Sequence, residues 1–64
     1  MTKEEAFAEA QRLTDVAPND RADDEWHAAI WKRINDLLDY AWIAGWPEPD
    51  PNWKEPPRPE GVEP

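Results

Sequence analysis

Cysteine and serine are both absent from the chain, histidine occurs once, at His27, and glycine twice, at Gly45 and Gly61. Without cysteine there is neither a disulfide framework nor a thiolate metal site, and nothing calls for an oxidising compartment, so a cytoplasmic setting is expected. Without serine or cysteine, nucleophile-plus-base catalysis would fall to Thr2 or Thr14, neither of which has a base placed beside it. Two isolated glycines exclude a phosphate-cradling loop. His27 and Asp23 stand four residues apart on one prospective helical face, but two ligands do not make a metal site, and no third falls on that face. No metal, no cofactor and no catalytic residue is therefore expected, and His27 reads as a surface histidine among acidic neighbours. The carboxylates lie on solvent faces without a cleft that would shift their titration, which also argues against an enzyme.

Long apolar runs are missing as well. The most apolar stretch, Tyr40 to Trp46, is seven residues long, far below the roughly 20 needed to span a bilayer. The segment Met1-Thr2-Lys3-Glu4-Glu5 is acidic where a secretory signal would be basic and then apolar. Neither a membrane span nor a targeting peptide is expected.

What the chain does have is negative charge, tryptophan and proline. Fifteen Asp and Glu against seven Lys and Arg leave a net charge of -8, which repels nucleic acid and anionic lipid and favours basic surfaces. Five tryptophans and eight prolines in 64 residues supply rigid contact area at low entropic cost, a composition that points to an interface.

Thr2-Lys3-Glu4-Glu5 fits a capping box, so a first helix is expected to start at Lys3. Ala6, Phe7, Ala10, Leu13 and Ala17 recur at spacings of three and four and form a narrow, alanine-rich stripe. Pro18 disfavours helical geometry at Ala17, which places the end of this helix near Val16. Asp20 or Asp23 is expected to cap a second helix over about Ala22 to Ala44, with Asp23, Asp24 and Glu25 against the positive end of its dipole. Trp26, Ile30, Ile34, Leu37, Ala41 and Ala44 form its stripe, and Trp31, Leu38 and Trp42 widen that stripe to nearly half the circumference. Gly45 and then Pro47 make the expected stop. Seven of the eight prolines, Pro47 included, come after Gly45, so the remainder is expected to be extended polyproline II, long enough to run the length of the second helix.

The fold class implied is all-α: an antiparallel two-helix hairpin over 1–46, followed by an extended proline-rich tail over 47–64. A chain this short buries only about 60% of its unfolded surface, and the first helix is too narrow to cover the wide face of the second. The tail, a second copy of the chain or another protein must complete the burial. The function expected is that of a small non-catalytic protein-binding module, an adaptor, accessory subunit or inhibitor. Its candidate partner-binding residues are Trp31, Trp42, Trp46, Trp53, Lys54 and Arg58, with Trp53 the first choice as anchor because tryptophan dominates binding energy. The partner would be another protein or a second copy, with no direct nucleic-acid binding and no membrane. Pro56-Pro57-Arg58-Pro59 matches the bare pattern of an SH3 ligand, but Arg58 lies inside the proline core where an outer position is required. The alternative reading is an acidic nucleic-acid mimic of the kind encoded by phages. Asp23, Asp24, Glu25, Asp36 and Asp39 would then imitate phosphates in a basic groove.

Overall fold

The computed structural model describes residues 1–21 and 23–64. They form two α-helices that pack against each other, α1 over Lys3–Val16 and α2 over Glu25–Trp42. α1 begins where its capping box requires. The Thr2 hydroxyl accepts from the Glu5 amide at 3.1 Å, and the Glu5 carboxylate accepts from the Thr2 amide at 2.7 Å. The helix ends at Val16, two residues before Pro18, and the Ala17 amide still donates to the Leu13 carbonyl at 2.9 Å.

The cap of α2 corrects the expectation. Asp24, not Asp20 or Asp23, stands at the N-cap, and its Oδ1 accepts from the His27 amide at 2.8 Å. Asp23 is instead held by Arg21, through contacts of 3.2 and 2.8 Å. The expected start at Ala22 lies outside the described residues. A second correction concerns the other end, which falls at Trp42, two residues before the expected Ala44. Ile43 turns extended, with φ -101° and ψ 116°, and the chain then bends through a turn in which the Trp46 amide donates to the Ile43 carbonyl at 3.2 Å. Gly45, at φ 82°, occupies the third position of that turn, where a positive φ favours glycine.

The core is one cluster of Ala6, Ala10, Leu13 and Ala17 with Trp26, Ile30, Ile34 and Leu37. On a helix with 100° between residues the first four lie within about 60° of each other, and small side chains there let the two helices approach closely. Phe7 sits about 100° from Ala6 on the same wheel. Contrary to expectation it is largely exposed.

Residues 43–64 contain neither helix nor strand, and they lie against the helices. Trp53 and Val62 pack on the core, and Pro49 is buried. The expected straight run along α2 is interrupted by two further turns. In one the Trp53 amide donates to the Asp50 carbonyl at 3.3 Å, and in the other the Val62 amide donates to the Pro59 carbonyl at 3.2 Å. The long axis of the molecule is 38 Å and the other two are 21 and 17 Å.

His27 is a third correction. It is fully buried rather than on the surface. Nδ1 lies 2.6 Å from Asp24 Oδ2, Nε2 lies 3.3 Å from the Pro64 main-chain oxygen, and the ring meets Trp26 edge-on at 4.8 Å. One carboxylate thus caps the helix and fixes the imidazole.

Two predictions follow from this packing. Ile34 is fully buried, so Ile34→Ala should cost about 2–5 kcal/mol. That is comparable with the whole stability expected at about 0.05–0.15 kcal/mol per residue, and urea unfolding followed by circular dichroism would read it. A loss below about 1 kcal/mol would place Ile34 outside the load of the core. The second prediction concerns acid. The backbone hydrogen bond from His27 holds the Asp24 carboxyl below its ordinary value of 3.8, and that from Thr2 holds Glu5 below 4.5. A depressed folded value gives stability that is complete above the ordinary value and is lost as pH falls through the folded one. The melting temperature should therefore fall below about pH 4, and less steeply in Asp24→Ala than in the native chain. Parallel slopes in the two proteins would show that the Asp24 carboxylate is not part of the effect.

Candidate functional site

Every large apolar side chain that the described residues leave exposed comes from Met1, Phe7, Trp42, Ile43 or Trp46. α1 presents Phe7 and α2 presents Trp42, and their rings meet edge to face with centroids 6.4 Å apart and planes at 74°. Trp42 is 75% exposed, the most of any large apolar residue. A notch of about 260 Å³ opens between them, lined by Lys3, Glu4, Phe7, Ala41 and Trp42.

The helical wheel explains the exposure. Trp42 lies about 120° from the centre of the buried stripe of α2, where Phe7 of α1 touches only its edge and leaves the rest of the ring open. Ile43 and Trp46 follow directly in the turn that ends the helix. The neighbouring segment is fixed at Met1, whose main-chain oxygen accepts from the Tyr40 hydroxyl at 2.7 Å and whose amino group meets Glu48 at 2.9 Å.

The other candidate residues are placed elsewhere. Trp31 is half-buried, and its indole N–H donates to the Ala17 carbonyl at 3.0 Å, which ties the end of α1 to α2. Trp53 is half-buried beneath the Arg33 guanidinium, 4.9 Å from the ring centre. Lys54 is exposed, and Arg58 is exposed with its guanidinium donating to the Val62 carbonyl. The structure thus leaves Trp42 and Trp46 exposed and sets Trp31 and Trp53 into the packing of the fold.

The acidic residues of the alternative reading are not gathered into one unbroken surface. Asp23 and Asp24 belong to the turn before α2, where Arg21 and His27 hold them. The side-chain bond from Arg21 keeps the Asp23 carboxyl below its ordinary value. Glu25, Asp36 and Asp39 share the solvent face of α2, but Lys32 stands between them and binds Asp36 at 2.9 Å. Among the described residues no group of three or more His, Cys, Asp or Glu could hold a metal ion, and no helix is long and apolar enough to cross a membrane.

The surroundings of three residues, only the first of them at this site, differ from what the sequence leads one to expect. Phe7 is expected in the core, although its angular offset from the alanines is readable. Arg33 is buried, with Nη1 donating to the Asp50 carbonyl at 2.9 Å and Nε without a partner. Its signal was a position three residues after Ile30 and seven after Trp26, on the apolar stripe itself. Arg12 bridges Glu9 and Glu55, the latter at 2.8 Å, and both bonds hold its guanidinium above its ordinary value. Compared with known proteins, the chain matches no family model, and neither a curated protein nor a solved structure aligns with it.

Proposed function

We propose that the chain is a non-catalytic protein-binding module whose docking surface is the end formed by Phe7, Trp42, Ile43 and Trp46. The observation that carries this reading is the 75% exposure of Trp42 in contact with an exposed Phe7, with Ile43 and Trp46 also exposed in the turn that follows Trp42. An indole left in water forgoes much of the roughly 1.5–3 kcal/mol that burial of a large apolar side chain supplies. Clustered exposed apolar side chains rimmed by polar groups are the usual signature of a protein interface. In the antiparallel hairpin that we infer from these contacts, the start of α1 and the end of α2 present the two rings together. The notch suits one protruding apolar side chain of the partner. The net charge of -8 favours a partner that carries basic residues around that side chain.

A non-catalytic role is supported by the state of the one histidine, whose ring is buried with both nitrogens against oxygen atoms. General acid–base work needs a ring within reach of a substrate proton.

Placing a photo-crosslinking phenylalanine derivative at position 42 or 7 in the native host should capture a discrete partner. The same group at Lys32, exposed and about 80° from Trp42 around α2, should not. Trp42→Ala should leave the melting curve within the small range of surface substitutions, and should weaken binding of the captured partner about 30-fold, as loss of a central tryptophan anchor does. Equal capture from positions 32 and 42 would remove the basis for this surface.

A further inference from the structure

On a second flank of the molecule, residues 49–56 of the chain pack against α2. The indole N–H of Trp26 donates to the Pro56 carbonyl at 3.0 Å, while Arg33 Nη1 donates to the Asp50 carbonyl at 2.9 Å. The Arg33 guanidinium covers the face of Trp53, Pro49 is buried, and Arg12 reaches Glu55 at 2.8 Å. Along the tail these contacts fall on proline, tryptophan and proline at positions 49, 53 and 56.

Proline-rich chains present carbonyl acceptors and ring faces but few N–H donors, so their receptors supply donors and aromatic surface. α2 does both. Trp26 and Arg33 each donate to a main-chain carbonyl, an interaction that any segment of this composition can accept, while Trp53 and Pro49 add the side-chain component. We propose that the flank of α2 bearing Trp26, Ala29 and Arg33 is a recognition site for proline-rich segments with a Pro-x-x-x-Trp-x-x-Pro pattern. The chain's own tail occupies it in cis, and a segment of the same chemistry in a partner protein occupies it in trans.

Two observations separate this from simple structural packing. The Nε of Arg33 is buried without any partner, so the cis occupant leaves one donor unmatched that a different ligand could satisfy. Beside Pro56, Pro57 and Pro59, a space of about 300 Å³ remains open against Trp26 and Ala29, room that the tail does not fill. The tail is thus an incomplete occupant. Because it is tethered, it competes at an effective concentration in the millimolar range, and the site is self-blocked until the tail is weakened or outcompeted.

The test uses the full chain carrying Trp53→Ala, which removes the cation–π contact and leaves both receptor donors in place. A synthetic peptide of residues 47–64 is titrated into it while the indole N–H resonances are followed. The peptide should shift the Trp26 resonance saturably and bind about tenfold more tightly than to the native chain. The same peptide with Trp53→Ala should bind about tenfold more weakly to the variant chain. If Trp53→Ala loses helical circular dichroism, a chain carrying Pro56→Ala and Pro57→Ala takes its place with the same readout. Absence of a saturable Trp26 shift in a folded variant at millimolar peptide would overturn the proposal. So would a shift confined to Trp42 and Trp46, which would assign the peptide to the exposed end. The site at Phe7 and Trp42 is untouched by these substitutions, so its fate is decided separately.

Discussion

Two helices of unequal breadth set the problem that the rest of this molecule solves. α1 and the Ala17 that caps it turn inward three alanines and one leucine, Ala6, Ala10, Ala17 and Leu13, whereas α2 buries Trp26, Ile30, Ile34 and Leu37 and also Arg33 and His27. A methyl-lined stripe cannot cover an indole and a guanidinium on the flank of a neighbouring helix. The tail covers them, with few aliphatic groups of its own. It does so through carbonyls, since Arg33 Nη1 and the Trp26 indole N–H find their acceptors at Asp50 and Pro56. The proline content is what makes this tolerable. A segment with few N–H groups can lie against a helix without burying donors that the helix cannot satisfy.

The same constraint shows how far the residues reveal the fold. The start of α1 was legible because a capping box is a local device, settled by Thr2 and Glu5 alone. The cap of α2 was not, since Asp20, Asp23 and Asp24 are equally able to cap. The choice fell to Asp24, whose second oxygen also meets the buried His27 ring. Besides its neighbour Trp26, that ring meets the distant Pro64, which a reading of neighbouring residues would not bring to it. The end of α2 was misplaced because Gly45 serves a turn over residues 43–46 rather than the helix terminus. The need for an additional covering surface was readable from the widths of the two stripes. Which surface would serve depended on long-range pairings such as Arg33 with Trp53.

The five tryptophans divide accordingly. Trp26 is buried, Trp31 and Trp53 are half-buried with a carbonyl and a cation as partners, and Trp42 and Trp46 face water. An indole with its N–H matched and one face covered contributes to the fold, and its removal exposes or orphans the group that matched it. Trp42, with 75% of its surface free, contributes little of that kind. Its contact with Phe7 leaves most of the ring available to another molecule. Tryptophan count pointed to an interface, and burial decides which indoles are free to form one.

The two flanks are joined by the turn that closes α2. The tail leaves the helix through Ile43 and Trp46, and the Trp46 amide is bonded back to Ile43. Where the tail goes next is fixed by Glu48 at the Met1 amino group and by the buried Pro49. A single short segment, residues 43–49, thus runs from the exposed Ile43 and Trp46 to the buried Pro49, so exposure and burial are divided within seven residues.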